Sequence, residues 1–152
     1  MTNSTDYLVN FNTKLKVSFD GSDLSSDTGL LIPRSFDKNL GISRLIGEAF
    51  PSTGKHHHPT AAILRQLMYT TIACYHTDDA SDHLCLDPAF TQILGKKTLA
   101  SQPTVSRCLN HFDGQMLKKL DQLLLTFIEK AYSVNKPVYD ILILGHFQQI
   151  FS

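Results

Sequence analysis

The chain has 152 residues, 42% of them hydrophobic, and its 14 Lys plus Arg are balanced by 14 Asp plus Glu. That length suits one domain with enough apolar matter for a core, which excludes wholesale disorder. The even charge excludes a strongly basic nucleic-acid coat, though not a local basic face. Residues 1–14 are polar and rich in Asn and Thr and read as a flexible arm. Residues 15–19 alternate apolar and polar, the period of a short strand, before the turn-forming Asp20-Gly21-Ser22-Asp23. Pro33 and Gly41 are placed to open and close a helix. A second helix is expected over 42–50, stopped by Pro51, and 52–59 reads as a loop carrying His56, His57 and His58.

From Thr60, a candidate N-cap, apolar residues at helical spacing (Ile63, Leu64, Leu67, Met68, Ile72) predict a helix over about 60–75. The acidic stretch 78–87 reads as a solvated connection. Pro88 starts a short helix that Gly95 ends. Ser101 is the N-cap of a further helix in which Val105, Leu109 and Phe112 face a core. The longest helix covers about 114–133, with a broad apolar stripe from Met116 to Ala131. Asn135-Lys136-Pro137 breaks it, and 138–144 reads as a buried strand.

No apolar run reaches the roughly 18 residues a membrane span needs. The opening Met-Thr-Asn-Ser-Thr-Asp has neither a basic nor an apolar leader region, so a cytoplasmic location is expected. Cys74, Cys85 and Cys108 are odd in number and have no CxxC spacing. They read as buried small apolar residues in a reducing compartment. Three adjacent histidines cannot all face one ion without unusual backbone, so no metal site is assigned to them. The acidic stretch lacks the glycine and the closing glutamate of a calcium loop.

The basic segment is more informative. Between Gly95 and Lys119 stand five basic residues, Lys96, Lys97, Arg107, Lys118 and Lys119, against the single acid Asp113. Lys96, Lys97, Ser101, Gln102, Thr104, Ser106 and Arg107 gather before and within the start of the helix that Ser101 caps. Short polar side chains and free N–H groups at a helix start suit phosphates, and Gln or Arg can read base edges. The pair 88–94 and 102–111 thus reads as a helix-turn-helix-like element, with the second helix as the recognition helix. The plainer reading is a capped surface helix whose charges are solvated.

Four blocks carry a family resemblance. Residues 19–31 (FDGSDLSSDTGLL), 63–69 (ILRQLMY), 82–83 with 87–90 (DH, DPAF) and 99–107 (LASQPTVSR) resemble the DDE-domain group 1 insertion-sequence transposases. The blocks stand in family order over about 15–142. The resemblance implies bacterial DNA transposition, with an α-rich N-terminal region ahead of an RNase H-like α/β core. In that family three carboxylates hold two divalent metal ions, expected to be Mg, that promote phosphodiester transfer. It also implies DNA as partner, through the terminal inverted repeats of the element.

The first two aspartates of such a core would fall at Ile143 and Gly145, neither of them a carboxylate. Asp140 lies three residues early and on the opposite strand face. The expected fold is therefore mostly α with short β elements, a transposase N-terminal region truncated at its first core strand. Its parts would be a flexible arm at 1–14, an α-rich region at 15–136 and, at 137–152, a first strand with an out-of-frame tail. No catalytic residue and no metal or cofactor site is assigned in the chain, which is expected to lack strand-transfer activity alone and to retain DNA binding. Two alternatives stand beside it: an interaction module that oligomerises or pairs with intact transposase, and a non-functional pseudogene remnant. A single-base frameshift near codon 142 would explain the tail. Translating the adjacent DNA in three frames should then show an apolar-Asp-x-Asp strand, and the absence of any transposase-like frame would reject the frameshift.

Overall fold

Helix α3, Thr60–Ile72, is apolar on nearly every side, and the other helices pack around it. The computed structural model describes residues 7–9, 12–17 and 27–134, apart from Thr53, Lys55, His56, Asp78 and Asp79. Strands β1 (Tyr7–Val9) and β2 (Asn12–Val17) pair antiparallel, Tyr7 opposite Val17, with an irregularity between Leu8 and Val9. A single 3-10 turn, Thr28–Leu30, leads into α1, Leu31–Leu40. Then follow α2 (Ile42–Ala49), α3, α4 (Ala80–Leu84), α5 (Pro88–Leu94), α6 (Gln102–Asn110) and α7 (Gly114–Val134).

The expected fold class is corrected by this architecture. From Thr28 to Val134 every regular element among the described residues is helical, and no RNase H-like α/β core is present among them. The physical reason lies in the pattern: beyond residue 30 the apolar spacing is that of helices, and no described segment offers the period-two alternation of a strand. The strand expected at 138–144 lies outside the described residues.

Several helix ends follow sequence signals. Gly41 and Gly95 adopt the left-handed conformation that closes α1 and α5, with φ of +71° and +65°. Pro88 occupies the first turn of α5, and the Asp87 carboxylate before it accepts from the Phe90 N–H at 2.9 Å. Others differ. Pro59, not Thr60, is the cap residue of α3. The acidic stretch is not a plain connection: residues 80–84 coil into α4, with Ala80, Ser81 and Leu84 buried while Asp82 stays exposed. Cys74 is exposed and has a φ of +64°, and Cys85 and Cys108 are only partly buried, so the expectation of buried cysteines does not hold.

Three apolar clusters meet on α3. Tyr69 joins Phe90, Ile93, Leu94, Leu84 and Leu99. Leu64 and Met68 lean on Ile46, Phe50 and Leu123, where Phe50 and Phe112 lie 5.9 Å apart. Ile63 packs with Ala100 and Val105. A helix that is apolar all round belongs in the centre of a domain.

One polar node ties the first three helices together. The Asp37 carboxylate, buried in α1, accepts from Arg34 Nη1 at 2.6 Å, from the Ser43 N–H at 2.6 Å and from Tyr69 Oη at 2.8 Å. It also accepts from Ser43 Oγ. Gly41 has no side chain with which to cap α2, and Asp37 supplies that cap from the preceding helix. Burial raises the Asp37 pKa, but the bonds from Ser43 and Tyr69 and the Arg34 charge outweigh it and hold the pKa below the ordinary 3.8. Tyr69 is pushed up by burial and by its bond to Asp37.

The node's contribution is therefore complete above pH 3.8 and lost as pH falls through the lower folded-state pKa of Asp37. Asp37→Asn leaves Arg34 facing a neutral group and should cost about 3 kcal/mol. Tyr69→Phe should cost about 2 kcal/mol. Urea unfolding at pH 7 and pH 3 checks both, and the Asn variant should lose much of the wild-type acid dependence.

Candidate nucleic-acid interface

Helix α6 is held against α3 by one buried side chain and one backbone clamp. Val105 is buried against Ile63 and Ala100. Gln66, buried in α3, donates from Nε2 to the Ala100 carbonyl and accepts the Ala100 N–H at Oε1, both at 2.8 Å. The glutamine amide thus pairs with a peptide as a strand neighbour would, and fixes the chain one residue before the Ser101 cap. The Leu99 N–H donates to the Cys85 carbonyl at 2.9 Å, which anchors the same loop from the other side.

The N-terminus of α6 is already served by an anion. The Gln102 N–H donates to Asp82 Oδ1 of α4 at 2.9 Å, while the Ser101 side chain makes no capping bond. Ser101 Oγ lies 3.2 Å from Thr104 Oγ1, and Gln102 Nε2 donates to Ser106 Oγ at 3.1 Å. Arg107 is exposed and folds back along α6, its Nε donating to the Pro103 carbonyl at 3.1 Å and its Nη2 to Thr104 Oγ1 at 3.3 Å. Of the seven residues singled out by sequence, Ser101, Thr104 and Arg107 therefore form one polar row on α6, and Gln102 with Ser106 a second row on the other flank of the buried Val105. Leu109, expected to face a core, is 41% exposed on this helix.

The two lysines part company. Lys97 is exposed. Lys96 is partly buried after the Gly95 turn, and burial and the nearby Arg65 charge lower its pKa. His58 is lowered by burial and by Lys96 and His57. A groove of about 340 Å³ runs between the His58–Thr60 segment and α6, with Arg107 and His111 on its far wall. Sequence patterning does not bring His58, Thr60 and His111 together with Arg107, because the groove exists only once α6 docks beside the start of α3.

The expected helix-turn-helix pair is not a unit of its own. Phe90, Ile93 and Leu94 of α5 pack in the Tyr69 cluster, whereas Val105 of α6 packs in the Ile63 cluster. Seven residues separate the two helices, and α3 lies between their cores. The histidine loop behaves differently: the His57 and His58 rings touch edge to face, with Nδ1 and Nε2 2.8 Å apart. Among the described residues no group of three His, Cys, Asp or Glu side chains converges as metal ligands. Nor is any described helix long and apolar enough to cross a membrane.

The Gln66 clamp yields a prediction. Gln66→Leu leaves the Ala100 N–H and C=O buried without partners, which should cost about 3 kcal/mol. Chemical denaturation measures the loss, and raised hydrogen exchange at Ala100 and α6 locates it.

No curated protein matches the chain, and no solved structure does. One family profile matches almost end to end: transposase DDE domain group 1, over residues 8–144. The match takes in the hairpin from Leu8 on and the seven α-helices of the described residues, so this chain belongs to the transposase DDE domain group 1 family.

Proposed function

We propose that this chain is the DNA-binding region of a bacterial, cytoplasmic insertion-sequence transposase, and that α6 with its leading loop contacts the terminal inverted repeats of the element. The observation that carries the reading is the position of α6. Its apolar side is anchored by Val105, while Thr104 and the exposed Arg107 line the His58 groove on one flank, Gln102 pairs with Ser106 on the other, and Lys97 of the leading loop is exposed. Such a surface matches the chemistry of duplex recognition, with cations for phosphates and amide or guanidinium groups for base edges. The two internal bonds of Arg107 are solvent-exposed contacts that a phosphate or a base can replace at small cost, and the single Gln102–Ser106 bond is partly buried. Asp82 at the helix start makes phosphate contact by the α6 N-terminus itself unfavourable and leaves the side chains as the contact groups.

Members of the family generally transfer phosphodiester bonds with divalent metal ions. The described residues do not fit that metal pair, since no three-carboxylate group forms among them, and no chemical step is assigned to them.

A second reading rests on α7. Leu117, Leu124, Leu125 and Ile128 are each more than half exposed, whereas Leu123 alone on that helix is buried. A long helix with so wide an apolar face suits association with another chain, as in an oligomer or a pairing with intact transposase.

Replacing Lys97 and Arg107 together by Ala should weaken duplex binding and flatten the slope of log K against log salt by about 1.8, near 0.9 for each phosphate that is no longer neutralised. Fluorescence anisotropy with duplexes of the terminal repeat measures both. Unchanged affinity and slope reject the interface. A size that grows with concentration, with no DNA shift, supports the association reading instead.

A further inference from the structure

The groove beside α6 is lined for more than phosphate contact. Its volume of about 340 Å³ is at the small end of the range for ligand pockets, roughly 300–1,000 Å³, and suits a single nucleotide unit. Pro59, Ile63, Cys108 and Met116 make much of its wall apolar. A phosphate gains nothing from such a wall, and the bases of a duplex hide their apolar faces in the stack. An unpaired base exposes a flat apolar face together with hydrogen-bonding edges, and packs on aromatic or guanidinium planes.

The polar side of the groove supplies such planes. The imidazoles of His58 and His111 and the guanidinium of Arg107 line it, beside the hydroxyl-bearing Thr60 and Thr104. Both rings are oriented before any ligand arrives. His111 Nδ1 lies 2.6 Å from the Arg107 carbonyl, which can only accept, so Nδ1 carries the proton and the neutral ring keeps Nε2 as an acceptor. The His58 ring is steadied by His57, edge to face with centroids 4.4 Å apart and with His57 Nδ1 2.8 Å from His58 Nε2. Burial, Lys96 and His57 lower the His58 pKa, so at pH 7 this ring contributes its face rather than a charge. Arg107, tied to the Pro103 carbonyl and to Thr104 Oγ1, brings the one fixed charge of the lining. Groups already held in place cost little further ordering when a ligand binds.

We propose that this groove is a binding site for one unpaired nucleobase, held against the His58 and His111 rings and the apolar wall, with its phosphate on Arg107. The site rests on the DNA-binding reading above and deepens it, for it lets the α6 surface tell a strand end with an unpaired nucleotide from an intact duplex.

The test uses the full chain and two duplexes that each end in a single unpaired nucleotide, one with its base and one abasic at that position. Sugar, phosphate and charge are then the same. Fluorescence anisotropy should show the base-bearing duplex bound about tenfold more tightly by the wild type. His58→Ala with His111→Ala should bring that ratio close to one, whereas His111→Phe, which keeps a flat ring, should retain most of it. The ratio cancels any change common to both titrations. If the double variant does not unfold cooperatively, His111→Ala serves in its place, since His111 is exposed. Equal binding of the two duplexes by the wild type overturns the base site and leaves the α6 reading standing. A ratio undiminished in the Ala variants, or lost in His111→Phe, overturns the groove as the place where the base stacks. No binding of either duplex by the wild type rejects the DNA-binding reading and the base site with it.

Discussion

The buried Asp37 carboxylate is the constraint on which the helical assembly depends. It lies in α1, caps α2 through Ser43 and receives the Tyr69 hydroxyl of α3, so three helices share one acceptor. A buried carboxylate is tolerated only when its oxygens are filled, and here donors from two helices and the α2 start converge on it. That requirement fixes the rotation of α3, since Tyr69 must point at Asp37. Once Tyr69 is set, the 3.6-residue repeat places every other face of α3.

The rest of the architecture follows from that rotation. With Tyr69 turned to α1, Leu64 and Met68 face α2 and α7, and Ile63 and Gln66 face the loop that begins α6. The position of the α6 polar rows is thus inherited from α3. Apolar contact alone through Val105 would let α6 slide. The paired bonds between Gln66 and Ala100 remove that freedom, because a bidentate amide contact has one register. The outer surface of α6 is in this sense positioned by residues that are themselves buried.

Charge is distributed unevenly over this frame although the whole chain is neutral. Asp37, Asp82 and Asp87 are each committed to a helix cap or a helix junction. Of the cations, Arg65 and Lys96 are partly buried, while Lys97 and Arg107 are exposed. Helix α7 contributes a different surface, with one apolar edge on α2 and a second open to solvent. The polar side chains of α6 and the exposed apolar edge of α7 thus lie on separate elements.

Much of this was legible in the sequence. The helix ends at Gly41, Pro88, Gly95 and Ser101 follow from backbone preference, which is local, and the apolar spacing of α3 and α7 follows from the helical period. The family was legible too, in four short blocks that the profile match over 8–144 bears out. The roles of Asp37 and Gln66 were not. Gln66 left one trace, as one of two polar residues between Leu64 and Leu67 in an otherwise apolar run, but Asp37 looks like any acid on an amphipathic helix. The α/β character was wrongly expected, because it came with the resemblance and no described segment carried it. Sequence determined where helices begin, which stripes are apolar and where basic residues gather, since each depends on neighbours a few positions away. Only the tertiary structure decided which polar groups are buried together, because bonds such as Tyr69 to Asp37 and Gln66 to Ala100 join residues more than thirty positions apart.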